Sequence, residues 1–529
     1  MPFNILVTDH LHAAGWDLLR QDDDVITSGP FKTRDALLLA ISKADAIIIR
    51  SGTKVDMQLL DAAPRLKVIA RAGARLDNVD IDAATHRGIM VINAADTNVP
   101  AVAEHTFAML LALARDISAG HLALQRGEWP RHKIEGFLLS GKILGIVGFG
   151  RLGRAVASYA QAFKMHVLVY DPYIDLSFAR EQGVEVVNFS ELLARSDIVS
   201  LHTTHSSHTN ALMDTDAFAS MKPNSYLLNC THAGLVDEAA LLNALDSGHL
   251  AGAAVDTFCQ EPPAIDHPLT CHPKVLATPH LSENTAESQH LTSIQVVSST
   301  LAALRGEDYC HIINLPFTQD LCYQDVEPYI HLASKLGKLQ GQLAEGWITR
   351  IEVELLGGGL SDLVRQVTAV LLTGLLRPVE GSQVNWISSP VLAHEQGIVT
   401  AQVKGLIDLA DYPNLIACKI YWEGGQRTVA GVLFGNGDAR LVQYDQFEVD
   451  AFPDGYVLIL ENDDIPGVIG RVGTLLGSAS INVAQWRYGR DRPGGRAVSF
   501  INVDNRISPS TCSLIEQDSG VRRARLVHL

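Results

Sequence analysis

The run KILGIVGFGRLG at positions 142–153 carries glycines at spacings that could do chemistry. An apolar strand there is expected to turn on Gly148 and Gly150 into a helix that holds Arg151, Leu152 and Gly153 in its first turn. Gly148 permits the tight turn, Gly150 lets the backbone approach a pyrophosphate, and Gly153 lets the helix pack closely on the strand. The helix start would offer free N–H groups and a positive dipole end to phosphates, with Arg151 and Leu152 as further cofactor contacts. Asp171 stands twenty-three residues after Gly148, at the end of the next apolar run, 166–170. Its carboxylate would accept from a ribose 2′-OH and repel a 2′-phosphate, so the expected cofactor is NAD rather than NADP.

The elements around this turn alternate. Short β-rich runs at 5–8, 46–50, 66–71 and 89–93, with helical patterns near 33–43 and 80–87, predict a first parallel sheet with helices on both faces. A glycine-free apolar helix over 99–115 reads as a buried connector or a subunit-contact helix. Strands near 143, 166, 185, 198, 226, 251 and 275 then build a second such unit over 98–283. A helix within 284–312 returns to the first unit, so the first domain is expected at 1–97 plus 284–312. Region 317–450 holds a turn at Gly357, Gly358 and Gly359, two helical stretches, and strand-like runs at 401–403 and 419–421. The tail, 455–529, reads strand–helix–strand–strand–helix–strand, the order of a ferredoxin-like domain. The fold class is α/β: two doubly wound Rossmann-like domains, an α+β third domain and a ferredoxin-like fourth.

Composition narrows the partners. With 59 acidic against 42 basic residues the net charge is −17, which argues against nucleic acid or an anionic membrane as the main partner. The 7 cysteines are odd in number and lack a CxxC pair, so neither a disulfide framework nor a metal site is expected. The chain opens directly on a strand-like NILVTD without a basic leader, and no uncharged apolar run reaches spanning length, so a cytoplasmic setting is expected.

Several segments together resemble the D-2-hydroxyacid dehydrogenase family, and within it the long-form D-3-phosphoglycerate dehydrogenases. They are Ile49-Arg50-Ser51, Leu76-Asp77-Asn78-Val79-Asp80, Ala103-Glu104, the Gly148 turn, Asn229-Cys230 with Gly234-Leu235-Val236-Asp237-Glu238, Asp256 with Glu261-Pro262-Pro263, and Pro279-His280. The third region is similar to that family's allosteric substrate-binding domain. The tail is similar to an ACT regulatory domain through Asp464-Ile465-Pro466-Gly467-Val468-Ile469-Gly470 and Ile481-Asn482-Val483-Ala484.

The resemblance implies oxidation of 3-phospho-D-glycerate to 3-phosphohydroxypyruvate, entering serine synthesis, or of a close phosphorylated or phosphonate 2-hydroxy acid. His280 matches the family's acid/base, and imidazole suits that role near neutrality. Glu261 matches the carboxylate that orients it. Arg50 and Arg131 match residues that grip a distal phosphate, Arg131 from across a dimer. Ser51, Ala74 and Asn98 match pocket positions, and Thr203 and Asp256 match neighbours of the nicotinamide or its ribose. In the tail, Asn462, Asp464, Gly467 and Asn482 match positions near an amino-acid effector such as serine. A pure dimerisation module is an equal reading of that tail. A homodimer or homotetramer is implied.

The chain departs from the family at the pocket. His232 stands where the family has an arginine that forks onto the substrate carboxylate, and a histidine cannot replace a permanently charged bidentate group. Ala74-Arg75 replaces a small residue and glycine, and Ser282-Glu283 and Thr204-His205 are further exchanges. Three readings stand: Arg75 takes over the missing anion contact; the substrate differs; or catalysis is lost, leaving an NAD-binding, amino-acid-sensing protein. Arg75 could also point away into solvent.

Overall fold

The computed structural model describes residues 2–315, 323–357, 360–381, 383–407, 412, 414–435 and 437–529. The expected start of the third region at 317, and Gly358 and Gly359 of its glycine turn, lie outside these residues.

The first sheet contains β1 (Phe3–Val7), β2 (Val25–Ser28), β3 (Ala46–Ile49), β4 (Val68–Arg71) and β5 (Met90–Asn93), all parallel in the order β2-β1-β3-β4-β5. Strand β2 was not legible in the sequence, since VITS is only four residues long and ends in two polar ones. Successive side chains of a strand point to opposite faces, so a sheet buried on both sides reads as an apolar run. Accordingly Leu6, Ile47, Ile49 and Ile69 pack on one side, and Ile5, Val7, Ile48 and Val68 on the other. Helix Ala286–Arg305 returns to that second side through Val296, Val297 and Ala303.

The second sheet contains β6 (Ile143–Val147), β7 (His166–Tyr170), β8 (Glu185–Val186), β9 (Ile198–Leu201), β10 (Ser225–Asn229), β11 (Leu250–Val255) and β12 (Val275–Ala277). It is parallel, in the order β12-β11-β10-β9-β6-β7-β8. The winding reverses between β6 and β9, and in open α/β sheets a ligand crevice opens at that switch point, beyond the strands' carboxyl ends. Helix Val99–Ala114 links the two units and lays Ala103, Phe107 and Leu110 on one face of this sheet. No single helix among the described residues is long and apolar enough to cross a membrane.

In the third domain the strand-like runs expected at 401–403 and 419–421 fall at Val399–Gln402 and within Leu415–Trp422, as part of a larger sheet. The domain holds a six-stranded sheet, in spatial order Val399–Gln402, Ile348–Leu356, Leu415–Trp422, Gly425–Phe434, Asp438–Tyr444 and Phe447–Ala451. The first pair is parallel and the rest antiparallel, backed by helices Tyr323–Leu343 and Val364–Glu380. The tail forms an antiparallel sheet in the spatial order Val483–Arg490, Arg496–Val503, Tyr456–Asp463, Val521–His528. Helices Val468–Ser478 and Pro509–Glu516 cover one face. The other face, with Val457, Ile459, Val498, Phe500 and Val527, joins the core of the third domain.

Candidate active site

The Gly148 turn has the form its spacing predicts. Gly148 adopts φ 94°, and a Cβ there would stand 2.6 Å from the carbonyl oxygen of His202 and 2.9 Å from the Thr203 nitrogen. Thr203 thus flanks the turn. A Cβ on Gly153 would come within 2.1 Å of the Gly148 carbonyl, so helix Arg151–Ala162 can approach β6 only with a hydrogen at that position. A Cβ on Gly150 would meet nothing within 4 Å. That open backbone, at a helix start in the crevice, fits a pyrophosphate. Asp171 follows β7, and its carboxylate accepts from the backbone nitrogens of Phe149 (2.8 Å) and Tyr173 (2.9 Å). The acid is thereby fixed beside the glycine turn, where a ribose would lie.

Across the cleft between the two sheets, the His280 Nδ1 stands 2.8 Å from Glu261 Oε2. Glu261 is itself steered by accepting from the Phe258 nitrogen at 3.1 Å. His280 sits at φ 53°. For a residue with a Cβ this left-handed conformation costs roughly 1–2 kcal/mol, so the surroundings must enforce it.

The two line a cleft of about 310 Å³ with Arg50, Ser51, Arg71, Arg75 and Glu283. Arg75 lies inside it, 24 % exposed, with Nη2 3.3 Å from Asp77 Oδ2. It does not point away into solvent. Arg71, the last residue of β4, escaped the sequence reading; it is 7 % exposed and lies 3.6 Å from the other oxygen of the same carboxylate. Burial lowers the Arg71 guanidinium below its ordinary value, while Asp77 and Glu283 act in the opposite sense and hold the charge. The sequence signal was available: an arginine closing an apolar strand at its carboxyl end, where parallel sheets bind ligands.

His232 is brought to the same region but not as a cation. Burial pushes its imidazole down to about 4, and the positive field of Arg75 adds to that. It is neutral at pH 7. The backbone nitrogen of Arg50 donates to Asp9, and its side chain lines both the cleft and a smaller adjoining pocket with Asn98. Asn98 is buried and accepts from Thr292 at 2.9 Å. Ala74 contributes its carbonyl to Asn93 at 2.9 Å.

Two other candidates do not line this cleft. Asp256, expected beside the cofactor, is 0 % exposed and its carboxylate is bonded to protein groups. Arg131 is exposed on the segment that follows helix Ile117–Gln125 and does not line the cleft of its own chain. In the tail, the Asp464 carboxylate accepts from Tyr488 (2.9 Å) and the Gly494 nitrogen (2.9 Å), and Tyr488 lies 3.5 Å from Asn462. Gly467, at φ 94°, starts the adjoining helix. Asn482 instead donates to Asp504. The sheet register puts Asn482, beside the Val483–Val503 pair, at the opposite end from Asn462, which pairs with Ala497. Within one chain the four effector candidates therefore do not form one site.

Residues 107–282 match the family described as the D-isomer specific 2-hydroxyacid dehydrogenase NAD-binding domain, and residues 325–445 the D-3-phosphoglycerate dehydrogenase intervening domain. Similar relatives include the D-3-phosphoglycerate dehydrogenases of Archaeoglobus fulgidus, 34 % identical over 99 % of this chain and 100 % of that one, and of Bacillus subtilis, 34 % identical over the whole of both. The Mycobacterium tuberculosis protein of that name is 37 % identical over 90 % of this chain and 89 % of its own. Among solved structures, a glyoxylate reductase from Paecilomyes thermophila is 28 % identical with a TM-score of 0.55, covering 59 % of this chain and 98 % of that one. A D-lactate dehydrogenase from Aquifex aeolicus, solved with NAD and lactic acid, is 27 % identical with a TM-score of 0.52, covering 57 % and 96 %.

Proposed function

Because the chain belongs to the D-2-hydroxyacid dehydrogenase family, in its long D-3-phosphoglycerate dehydrogenase form with an intervening domain, we propose that it oxidises 3-phospho-D-glycerate, or a close phosphorylated 2-hydroxy acid, to the 2-keto acid. The cofactor is NAD, which when bound supplies the ring that takes up hydride. The reading is carried by the His280–Glu261 pair opening onto a cleft that also holds Arg50, Arg71 and Arg75.

Glu261 occupies Nδ1, so Nε2 of His280 is the nitrogen left to take the hydroxyl proton as C2 becomes a carbonyl. The Glu261 carboxylate then offsets the charge of the imidazolium. Arg75 and Arg71 take the substrate carboxylate in place of the absent arginine at 232, exchanging Asp77 for it. Arg50 holds the phosphate end. Arg131 would join it from a second copy: Ile117, Leu122, Leu124, Trp129 and Leu138, on either side of it in sequence, are large apolar side chains left exposed, the kind a homodimer buries. An amino-acid effector would sit at Asp464, Asn462 and Gly467, with Asn482 supplied by a neighbouring tail.

A second reading is favoured by Glu283. It puts an extra carboxylate in the cleft, where the family has a small residue, and opposes a dianionic phosphate. It calls for a different 2-hydroxy acid. The deciding experiment is an NADH-oxidation screen of 2-keto acids with and without phosphate, repeated on Arg50→Ala. Turnover on phosphohydroxypyruvate that collapses in the variant supports the first reading. Turnover on unphosphorylated acids, insensitive to Arg50→Ala, selects the second. Saturable NADH fluorescence without turnover on any acid overturns both and leaves a cofactor-binding sensor.

A further inference from the structure

Asp256 follows β11 directly and is wholly enclosed. Its carboxylate accepts from Thr278 Oγ1 at 2.6 Å, from the Leu281 nitrogen at 2.8 Å and from the Ser282 nitrogen at 3.0 Å. His105 Nε2, reaching in from helix Val99–Ala114, stands 3.3 Å away. The Asp256 carbonyl takes the His280 nitrogen at 2.9 Å. Burial alone would raise this carboxyl, yet His105, Thr278 and the two backbone donors bring it down to about 2. It is therefore charged at every working pH.

A buried charge is costly unless well bonded, so any rearrangement of residues 278–282 would leave an uncompensated carboxylate behind. The left-handed turn at His280 is the piece of backbone this arrangement encloses, with a bond to Asp256 at its own nitrogen and at each of the next two. We infer that Asp256 is a positioning residue, which, with Thr278 and His105, holds the 278–282 turn in its left-handed form and so aims the His280 ring at the cleft. This rests on the reading that His280 carries the proton. It gives Asp256 a task beyond the cofactor contact that the family resemblance implies, and it connects the ring's aim to the helix that links the two units.

The test uses the full-length protein with Asp256→Asn, Thr278→Val and Thr278→Ser. Misplacing a reacting group by an ångström costs about a hundredfold in rate, so kcat for the best 2-keto acid should fall by about that factor in Asp256→Asn and by less in Thr278→Val. KM and the NADH dissociation constant read by fluorescence should stay within about twofold. Thr278→Ser, which keeps the hydroxyl, should restore the rate lost in Thr278→Val. Amide exchange in the 278–283 peptide should accelerate in Asp256→Asn and in Thr278→Val. A weakened NADH affinity with kcat retained would overturn the proposal in favour of a cofactor contact, and an unchanged kcat would overturn it outright. Should Asp256→Asn not fold, Thr278→Val and Thr278→Ser decide alone. Should the wild type turn over no acid, the redox reading fails separately, and the exchange rates still decide: faster exchange upholds the positioning role and equal exchange ends it.

Discussion

Arg75 and Asp77 face each other at 3.3 Å on the wall of the cleft that His280 lines. An arginine already turned inward, held by a carboxylate that an incoming carboxylate can replace, is arranged for anion exchange. Arg75→Ala should lower kcat/KM by about ten- to a hundredfold, matching roughly 1.5–3 kcal/mol for a hydrogen bond to a charged group. Arg75→Lys should recover only part of this, because an ammonium cannot form the planar fork. Steady-state kinetics on both variants check it; unchanged turnover dismisses the role.

Glu261→Gln keeps the shape beside His280 and removes the charge. We expect kcat to fall about ten- to a hundredfold by the same measure of a charged hydrogen bond, with NADH affinity untouched. Stopped-flow reduction paired with fluorescence titration separates the two quantities, and an intact kcat would exclude the pairing from the mechanism.

The glycine turn was legible in the sequence because its demands are local: a strand, a turn that tolerates no Cβ at Gly148, and an acid one strand later. The His280–Glu261 pair, with its members nineteen residues apart, was reached only through the family resemblance. Arg71 was passed over because the last residue of an apolar run reads as a strand boundary, although Val68–Arg71 is buried throughout. The setting of Asp256 could not be read either. Its donors come from positions 105, 278, 281 and 282, which only the folded sheet brings together. In the third domain, Gly425–Phe434 and Asp438–Tyr444 mix buried and half-exposed positions without strict alternation, so period-two patterning was blurred.

His232 links the cleft to stability. Its folded value of about 4 lies below the ordinary 6.5, so as pH falls the unfolded chain takes the proton first. Its contribution is therefore whole above pH 6.5, and it is lost progressively as pH drops toward 4. Between pH 7.5 and 4.5 the wild type should lose on the order of 2–3 kcal/mol relative to His232→Gln. Urea denaturation at the two pH values measures this, and parallel losses in both proteins would contradict it.

Asp171 accepts from the Phe149 nitrogen, so it braces the glycine turn, and we expect the same carboxylate to take a ribose hydroxyl. Asp171→Ser should raise KM for NAD by about tenfold or more, on the scale of one charged hydrogen bond, and narrow the preference over NADP. A comparison of kcat/KM for the two nucleotides is the measurement, and an unaltered ratio would sink the assignment.

The tail's sheet shares one continuous core with the third domain, through Val457, Ile459, Val498, Phe500 and Val527. It is not a pendant on a tether. Heat or denaturant should melt positions 323–529 in a single cooperative step, and clipping the final strand, Val521–His528, should expose the inner domain to proteolysis as well. A metabolite that braces the outer helices would then stiffen more than 200 residues at once, which makes the two carboxyl-terminal domains a single mechanical lever rather than two independent sensors.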